Sequence, residues 1–252
     1  MTPDLATGRR FLAAKGAPGA LAVGVTGAHY YGFPSADSDL DLKGVHIADT
    51  REIVSLKPTS DAIDSLGVFE GIEIDYTSHE LAATLRLLLK GNGNMLERIL
   101  SPFQLLESAS VLELQALAHA AISQRFFHHY RGFFGRTCQE WRAAQPKTVK
   151  GLLYAYRSAL TGVHLLRTGE CVGDVTRLAP LYGFQQVPDL VARKAAGREH
   201  GELTATAGFD ADLERLEALL ETARSESPLP AESRNADALN EFLVQRRKER
   251  LT

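Results

Sequence analysis

The sequence predicts an α+β chain: a mixed β-sheet flanked by helices in the N-terminal part, then an all-helical region. Three observations carry this. "ALAVGVTG" at 20–27 is an uninterrupted β-rich run, and "DLDLKGVHI" at 39–47 opens with polar and apolar residues alternating at period two. Beyond Pro102 only helical periodicity recurs. The expected division is 1–105 for the sheet-bearing domain and 106–252 for the helical one.

Taken in order, Leu5 to Lys15 reads as a short helix stopped by "GAPG". The run ending at Gly27 suits a strand buried on both faces. In the next strand Asp39, Asp41 and Lys43 share one face, because side chains two apart point the same way. A third strand, "GVFEGIEIDYTS", sets Glu73, Asp75 and Thr77 against Ile72, Ile74 and Tyr76. Thr77 with Glu80 fits a capping box opening a helix over 78–90, whose stripe is Leu81, Leu85, Leu88 and Leu89. Further helices are expected near 108–130, 148–168, 187–196, 210–224 and 235–250. "SESPLPAES" at 225–233 reads as a linker before the last of them.

Composition narrows the class. The 252 residues carry a net charge of −3, which does not mark a bulk polyanion binder. Cys138 and Cys171 form neither a zinc motif nor a disulfide framework and read as reduced thiols. With no apolar run near the roughly 20 residues that cross a bilayer and no signal-peptide core, a cytoplasmic protein is expected.

The chemistry resides in the paired aspartates. Carboxylates at i and i+2 on a strand lie about 6 to 7 Å apart, and a divalent cation between them offsets their repulsion. Magnesium, or manganese, takes one or two carboxylates and completes its shell with water and substrate phosphates. Asp75, or Glu73 two residues earlier, is the candidate third ligand from a neighbouring strand. Gly27 and Ala28 let the backbone approach a triphosphate whose charge backbone N–H groups at a helix start receive. His29 either contacts that phosphate or packs the turn.

A buried strand, a Gly-containing turn, a ten-residue spacer over 29–38 and an Asp-x-Asp pair resemble the nucleotidyltransferases of the DNA polymerase beta superfamily. The longer string "VTGAHYYGFPSADSDLDLKGV" is similar to the predicted bacterial nucleotidyltransferases with a YG…SDxDxxG signature. "GNGNMLE", with Asn94 and Glu97, stands at their next landmark. The resemblance covers residues 23–97 and implies that Asp39, Asp41 and Asp75 form a metal-binding catalytic set. It further implies a nucleotidyltransferase-type sheet domain closed by the helical domain, with Ser38 and Lys43 beside the nucleotide. Ala28 departs from the family, where many members carry a phosphate-binding Ser.

In the helical half, Lys150, Tyr154 and Arg157 recur at i, i+4 and i+7, a stripe that would meet phosphates or stay a solvated face. The phenylalanines of "RFFHHYRGFFGR" at 125–136 are expected in the core, and the terminal "QRRKER" is expected to be solvated charge. The resulting expectation is a magnesium-dependent nucleotidyltransferase moving a nucleoside monophosphate from an NTP, ATP foremost, to an acceptor hydroxyl. That acceptor is an RNA end, a protein hydroxyl or a small molecule. The alternatives are a catalytically silent nucleotide-sensing module that docks a partner, and a nucleic-acid-binding protein using its helices.

Overall fold

The computed structural model describes residues 2–56, 60–196 and 207–251. The chain is α+β, as expected, and its contacts divide it into two compact units, each discontinuous. The first comprises residues 1–29, 38–122 and 233–252; the second comprises 30–37 and 123–232. The division therefore falls later than residue 105, and the C-terminal segment belongs with the sheet.

In the first unit, α1 (Leu5–Lys15) begins where the Asp4 carboxylate accepts the Thr7 N–H at 3.0 Å, a standard N-cap. Strand β1 (Ala20–Val25) leads to the short α2 (Gly27–Tyr31), and β2 (Leu40–His46) to α3 (Thr50–Ile53). The stretch expected as one strand over 67–78 is a hairpin, β3 (Ala62–Phe69) and β4 (Ile72–Glu80). Glu70 and Gly71 turn it with φ of 50° and 83°, the doubly left-handed conformation that matches strand twist in tight hairpins. The sheet runs β1-β2-β4-β3, with β2 and β4 parallel and both outer pairs antiparallel.

Val23, Val25, Leu40, Leu42, Ile74 and Tyr76 cover one face of the sheet and pack with Phe11 and Leu105. The Tyr76 hydroxyl accepts the buried Ala17 N–H at 3.0 Å, so that buried donor and the hydroxyl satisfy each other. The outer edge of β1 is closed by its own chain: Val25 N–H donates to the Phe103 carbonyl and Leu105 N–H to the Val23 carbonyl.

Helix α4 (Leu81–Leu89) starts later than residue 78. Thr77 is still in the strand, and Glu80 itself caps the helix by accepting the Ala82 N–H at 2.7 Å. A short helix outside the expected ones follows, α5 (Gly93–Leu100), capped by Asn92; then α6 (Ala109–Ala120) opens the stretch expected as helix from 108. The basic C-terminus is not simply solvated charge. In α12 (Ala236–Lys248), Arg246 bonds to Glu113, Ser110 and Glu249, while Arg247 pairs with buried Glu80 and donates to the Ala48 carbonyl.

In the second unit, the helix expected over 108–130 is broken. A separate α7 (Phe126–Ala143) begins beyond Gln124, whose amide donates to the carbonyls of Ser227 and Leu229. Helix α8 (Val149–Thr168) is buried along most of its length and packs on α7, α9 (Val175–Leu181), α10 (Val187–Ala195) and α11 (Ala207–Ser225). Phe126, Phe127, Tyr130 and Phe134 are core residues as expected, whereas Phe133 stays half-exposed. Gly162 permits the close approach of α8 to α7, since a Cβ there would meet the Tyr130 Cβ at 2.6 Å. The expected linker is a packed strap: Ser227 Oγ donates to the Leu166 carbonyl at 2.6 Å, and Leu229 packs on the cluster of Phe127, Val163, Leu166 and Leu220. Both cysteines are free thiols. Among the described residues, no helix is long and apolar enough to cross a membrane.

Glu80 holds two elements at once, so its loss exceeds the value of a surface contact. Glu80→Ala uncaps α4 and strands a mostly buried Arg247, lowering unfolding stability by about 3 to 5 kcal/mol. Glu80→Gln, which can retain the cap, should cost less. Urea denaturation of both variants checks the order.

Candidate active site

The two strands that carry the acids are parallel neighbours, and their register places Asp41 directly beside Asp75. Both point away from the apolar face built by Leu40, Leu42, Ile74 and Tyr76. Glu73, two residues earlier on β4, is exposed and lies across from Val68 of β3. Asp75 is thus the hairpin acid at Asp41's level. Asp39 sits half-buried just before β2, near enough for its charge to act on Asp41.

The turn after β1 closes over Asp41. Thr26 N–H donates to the Asp41 carbonyl at 2.9 Å. Gly27 then adopts φ +60°, and a Cβ there would stand 1.6 Å from Asp41 Oδ2. Only glycine allows the backbone to cross the carboxylate this closely. Burial, with the charge of Asp39 second, pushes the Asp41 carboxyl up to about 6; Lys43 opposes the rise and Asp75 adds to it.

Lys43 answers part of that charge. Its Nζ lies 2.8 Å from Asp75 Oδ2 and 3.8 Å from Asp41 Oδ1. Among the described residues no group of three or more His, Cys, Asp or Glu side chains is gathered to hold a metal ion. The donor chemistry nevertheless fits magnesium, which needs only one or two carboxylates when phosphates and water complete its shell. Asp41, half-buried and disfavoured as an anion, would gain from such an ion.

Behind the pair, Arg98 of α5 donates to the Gly44 carbonyl at 2.9 Å and meets His79 Nδ1 at 2.8 Å. His46 Nδ1 lies 2.9 Å from Ser78 Oγ. Burial is the main cause that lowers both histidines. This network anchors β2 to β4, and no sequence pattern announced it. Of the "GNGNMLE" landmark, Asn92 caps α5 and Glu97 is buried within it, with Asn94 between them.

The remaining expected residues fall as follows. Ala28 and His29 lie in the first turn of α2, half-buried, and Ser38 is half-buried before Asp39. Lys150, Tyr154 and Arg157 belong to the second unit, together with residues 30–37. Their stripe is graded rather than uniformly exposed. Lys150 is exposed, and Tyr154 is half-buried with its ring edge-on to Tyr31 and Phe33. Arg157 is 1% exposed, its guanidinium 3.6 Å from the Tyr31 ring centroid. Buried Lys194, which sequence gave no reason to select, donates to Ser35 Oγ at 3.0 Å. A hydrogen bond from Ser35, then Asp37's own backbone and the charges of Lys194 and Lys150, hold the Asp37 carboxyl below its usual range.

Comparison with known proteins adds family information. A family described as RNA repair pathway DNA polymerase beta family matches residues 18–245. An uncharacterized protein of Methanocaldococcus jannaschii is 31% identical over 154 residues, covering 60% of this chain and 61% of that protein. The uncharacterized protein YcgL of Bacillus subtilis is 28% identical over 139 residues, 54% of this chain and 52% of its own. The chain thus spans less than two thirds of either curated relative. A nucleotidyltransferase-like protein from Exiguobacterium sibiricum, known from its crystal structure, is similar at a TM-score of 0.34 and 11% identity, over 98% of this chain and 80% of that one.

The raised Asp41 carboxyl has a pH signature. Below about pH 4 the group is neutral in both folded and unfolded chains; between about 4 and 6 the unfolded chain ionises first, so stability falls as pH rises. The penalty reaches at most about 3 kcal/mol above pH 6. Asp41→Asn should therefore be more stable than the parent at pH 7.5 but not at pH 4. Magnesium should raise the parent's midpoint and not the variant's. Urea titrations at both pH values, with and without magnesium, check this.

Proposed function

The chain belongs to the RNA repair pathway DNA polymerase beta family, and from that premise we propose that it is a magnesium-dependent nucleotidyltransferase. It moves a nucleoside monophosphate from an NTP, ATP foremost, to an acceptor hydroxyl. The observation that carries the reading is the Asp41–Asp75 pair, set in register across two parallel strands beneath the Gly27 turn. Because the family's description names RNA repair, a hydroxyl at an RNA end is the acceptor favoured over a protein hydroxyl or a small molecule.

Asp39, Asp41 and Asp75 would hold magnesium, which when bound supplies the positive charge that a triphosphate and a developing alkoxide require. The chain's own residues do the rest. Gly27 and Ala28 bring backbone N–H groups to the triphosphate without a side chain in the way. Lys43, already beside both carboxylates, neutralises phosphate charge. Asp75 takes the proton of the acceptor hydroxyl as its oxygen bonds to the α-phosphorus. The bond from that phosphorus to the β-phosphate bridging oxygen breaks, and pyrophosphate leaves.

Two observations favour the silent-sensor alternative. Lys43 lies against both carboxylates, and Ala28 supplies no hydroxyl for phosphate. NTP binding in magnesium with no pyrophosphate release over RNA, protein and small-molecule acceptors would decide for it.

The direct test is pyrophosphate release with an NTP, magnesium and an RNA bearing a free terminal hydroxyl. Asp41→Asn and Asp75→Asn should each cut turnover by roughly a thousandfold, the scale on which electrostatic transition-state groups act. Unchanged turnover in either variant would remove the proposal.

A further inference from the structure

Leu66 and Val68 are large aliphatic residues that the fold leaves in the open, 74% and 70% exposed. They stand on β3, where Leu66 pairs across the ladder with Asp75 and Val68 with Glu73. Residues directly opposite in an antiparallel pair share a face, with Cβ atoms about 4.5 to 5.5 Å apart. The two aliphatics therefore lie on the face of the sheet that carries Asp41 and Asp75. Ala62 and Asp64 share this face further along β3, opposite His79 and Thr77, whereas Ile63, Ser65 and Phe69 oppose residues of the other face.

The order of groups across this face assigns the ligand. Strand order β1-β2-β4-β3 sets out the Gly27 turn after β1, then Asp41, then Asp75, then Leu66, with neighbouring strands about 4.8 Å apart. A triphosphate at the Gly27 turn occupies one side of the acid pair. The molecule that gives up its proton to Asp75 comes from the other, where Leu66 and Val68 are. The distance of one strand is comparable to that from a ribose hydroxyl to the base on the same sugar.

Charge excludes the acceptor's phosphates from the same spot. On this face β3 and β4 carry Asp64, Glu73 and Asp75 and neither Lys nor Arg; the hairpin's Glu70 and Glu80 are paired with Arg10 and Arg247. A polyanion is normally held by cations whose counterions it releases, and this hairpin offers none. What fits is an uncharged ring with an apolar face.

We infer that Leu66 and Val68 form the platform for the terminal nucleoside of the acceptor, packing on its base while Asp75 receives the hydroxyl, with the strand's phosphates turned away from the hairpin. The inference rests on the nucleotidyl-transfer reading above. It makes the pair positioning residues for the acceptor, indifferent to the NTP and to base identity, since every base has an apolar face.

The experiment is steady-state transfer from an NTP to a short RNA with a free terminal hydroxyl, comparing the parent with Leu66→Ser/Val68→Ser and Leu66→Ile/Val68→Ile. The serine pair should raise KM for RNA roughly tenfold or more, the scale expected for losing two aliphatic contacts. The KM for the NTP should stay within about twofold, and the isoleucine pair should restore the RNA KM. The effect should be the same at low and moderate salt, because no phosphate contact is lost. An unchanged RNA KM, or a rise confined to the NTP, overturns the inference. So does a serine pair that only converts a dimer to a monomer, which would assign the strand to a second copy of the chain. A parent protein that transfers nothing to this RNA overturns the function beneath it instead.

Discussion

The parallel pairing of β2 with β4 is the constraint on which the rest depends. Two strands that follow one another in a sheet are most easily antiparallel; here β3 intervenes and takes the edge, so that β4 returns beside β2 in the same direction. That return puts Asp41 level with Asp75. A slip of one residue would rotate every β4 side chain to the wrong face, exposing Ile74 and Tyr76 and burying acids. The register is therefore enforced from behind, by Tyr76 bonding the Ala17 N–H and by Phe11 packing edge-on to Tyr76 at 5.6 Å. The position of the carboxylates is a consequence of apolar packing on the far side of the sheet.

What the sequence made legible follows the same division. The period-two alternation at Asp39 to Lys43 and the glycine that ends β1 are local signals, and the structure places them as local reasoning expects. The choice between Asp75 and Glu73 was not local. Both point the same way from β4, and only the pairing with β2 separates them. Sequence pattern alone shows one strand where there are two because β3 lacks alternation: both of its faces are largely exposed, so no period marks it. Its turn uses Glu70 in a left-handed conformation, where a more familiar Asn-Gly or Asp-Gly pair would have announced itself. The capping box failed because Thr77 is committed to the ladder, leaving Glu80, an unusual capping residue, to start α4.

The helical stripe shows the limit in a different form. Periodicity correctly put Lys150, Tyr154 and Arg157 along one side of α8, but periodicity does not say what covers that side. Residues 30–37, the spacer of the aspartate motif, belong to the same compact unit as α8. Tyr31 covers the Arg157 guanidinium, Phe33 meets Tyr154, and Ser35 receives Lys194. The ten residues between the glycine turn and Asp39 are thus an anchored segment with its own aromatic and cationic partners. The chain passes from one unit into the other and back inside its most recognisable motif. A motif defined by spacing alone could not report this, since it counts the intervening residues without regard to what they pack on.

The electrostatics of the acid pair tie these points together. Gly27 allows the chain to cross Asp41, and that crossing removes much of the water around a carboxylate that already faces Asp39 and Asp75. Burial and like charge both oppose ionisation, and the carboxyl rises to about 6. The structure tolerates this because Lys43, two residues further along the same face, brings its ammonium to 2.8 Å from Asp75 and 3.8 Å from Asp41. An ammonium donates hydrogen bonds in place and carries a single charge; it cannot gather phosphate oxygens as a divalent ion does. A site in which one lysine partly balances three neighbouring carboxylates retains an excess of negative charge, and that excess is what a divalent ion with its bound triphosphate would relieve. The strain imposed by the glycine turn and the affinity proposed for the nucleotide–metal complex are then two aspects of one arrangement. Removing the crossing by adding a side chain at Gly27 would abolish both together.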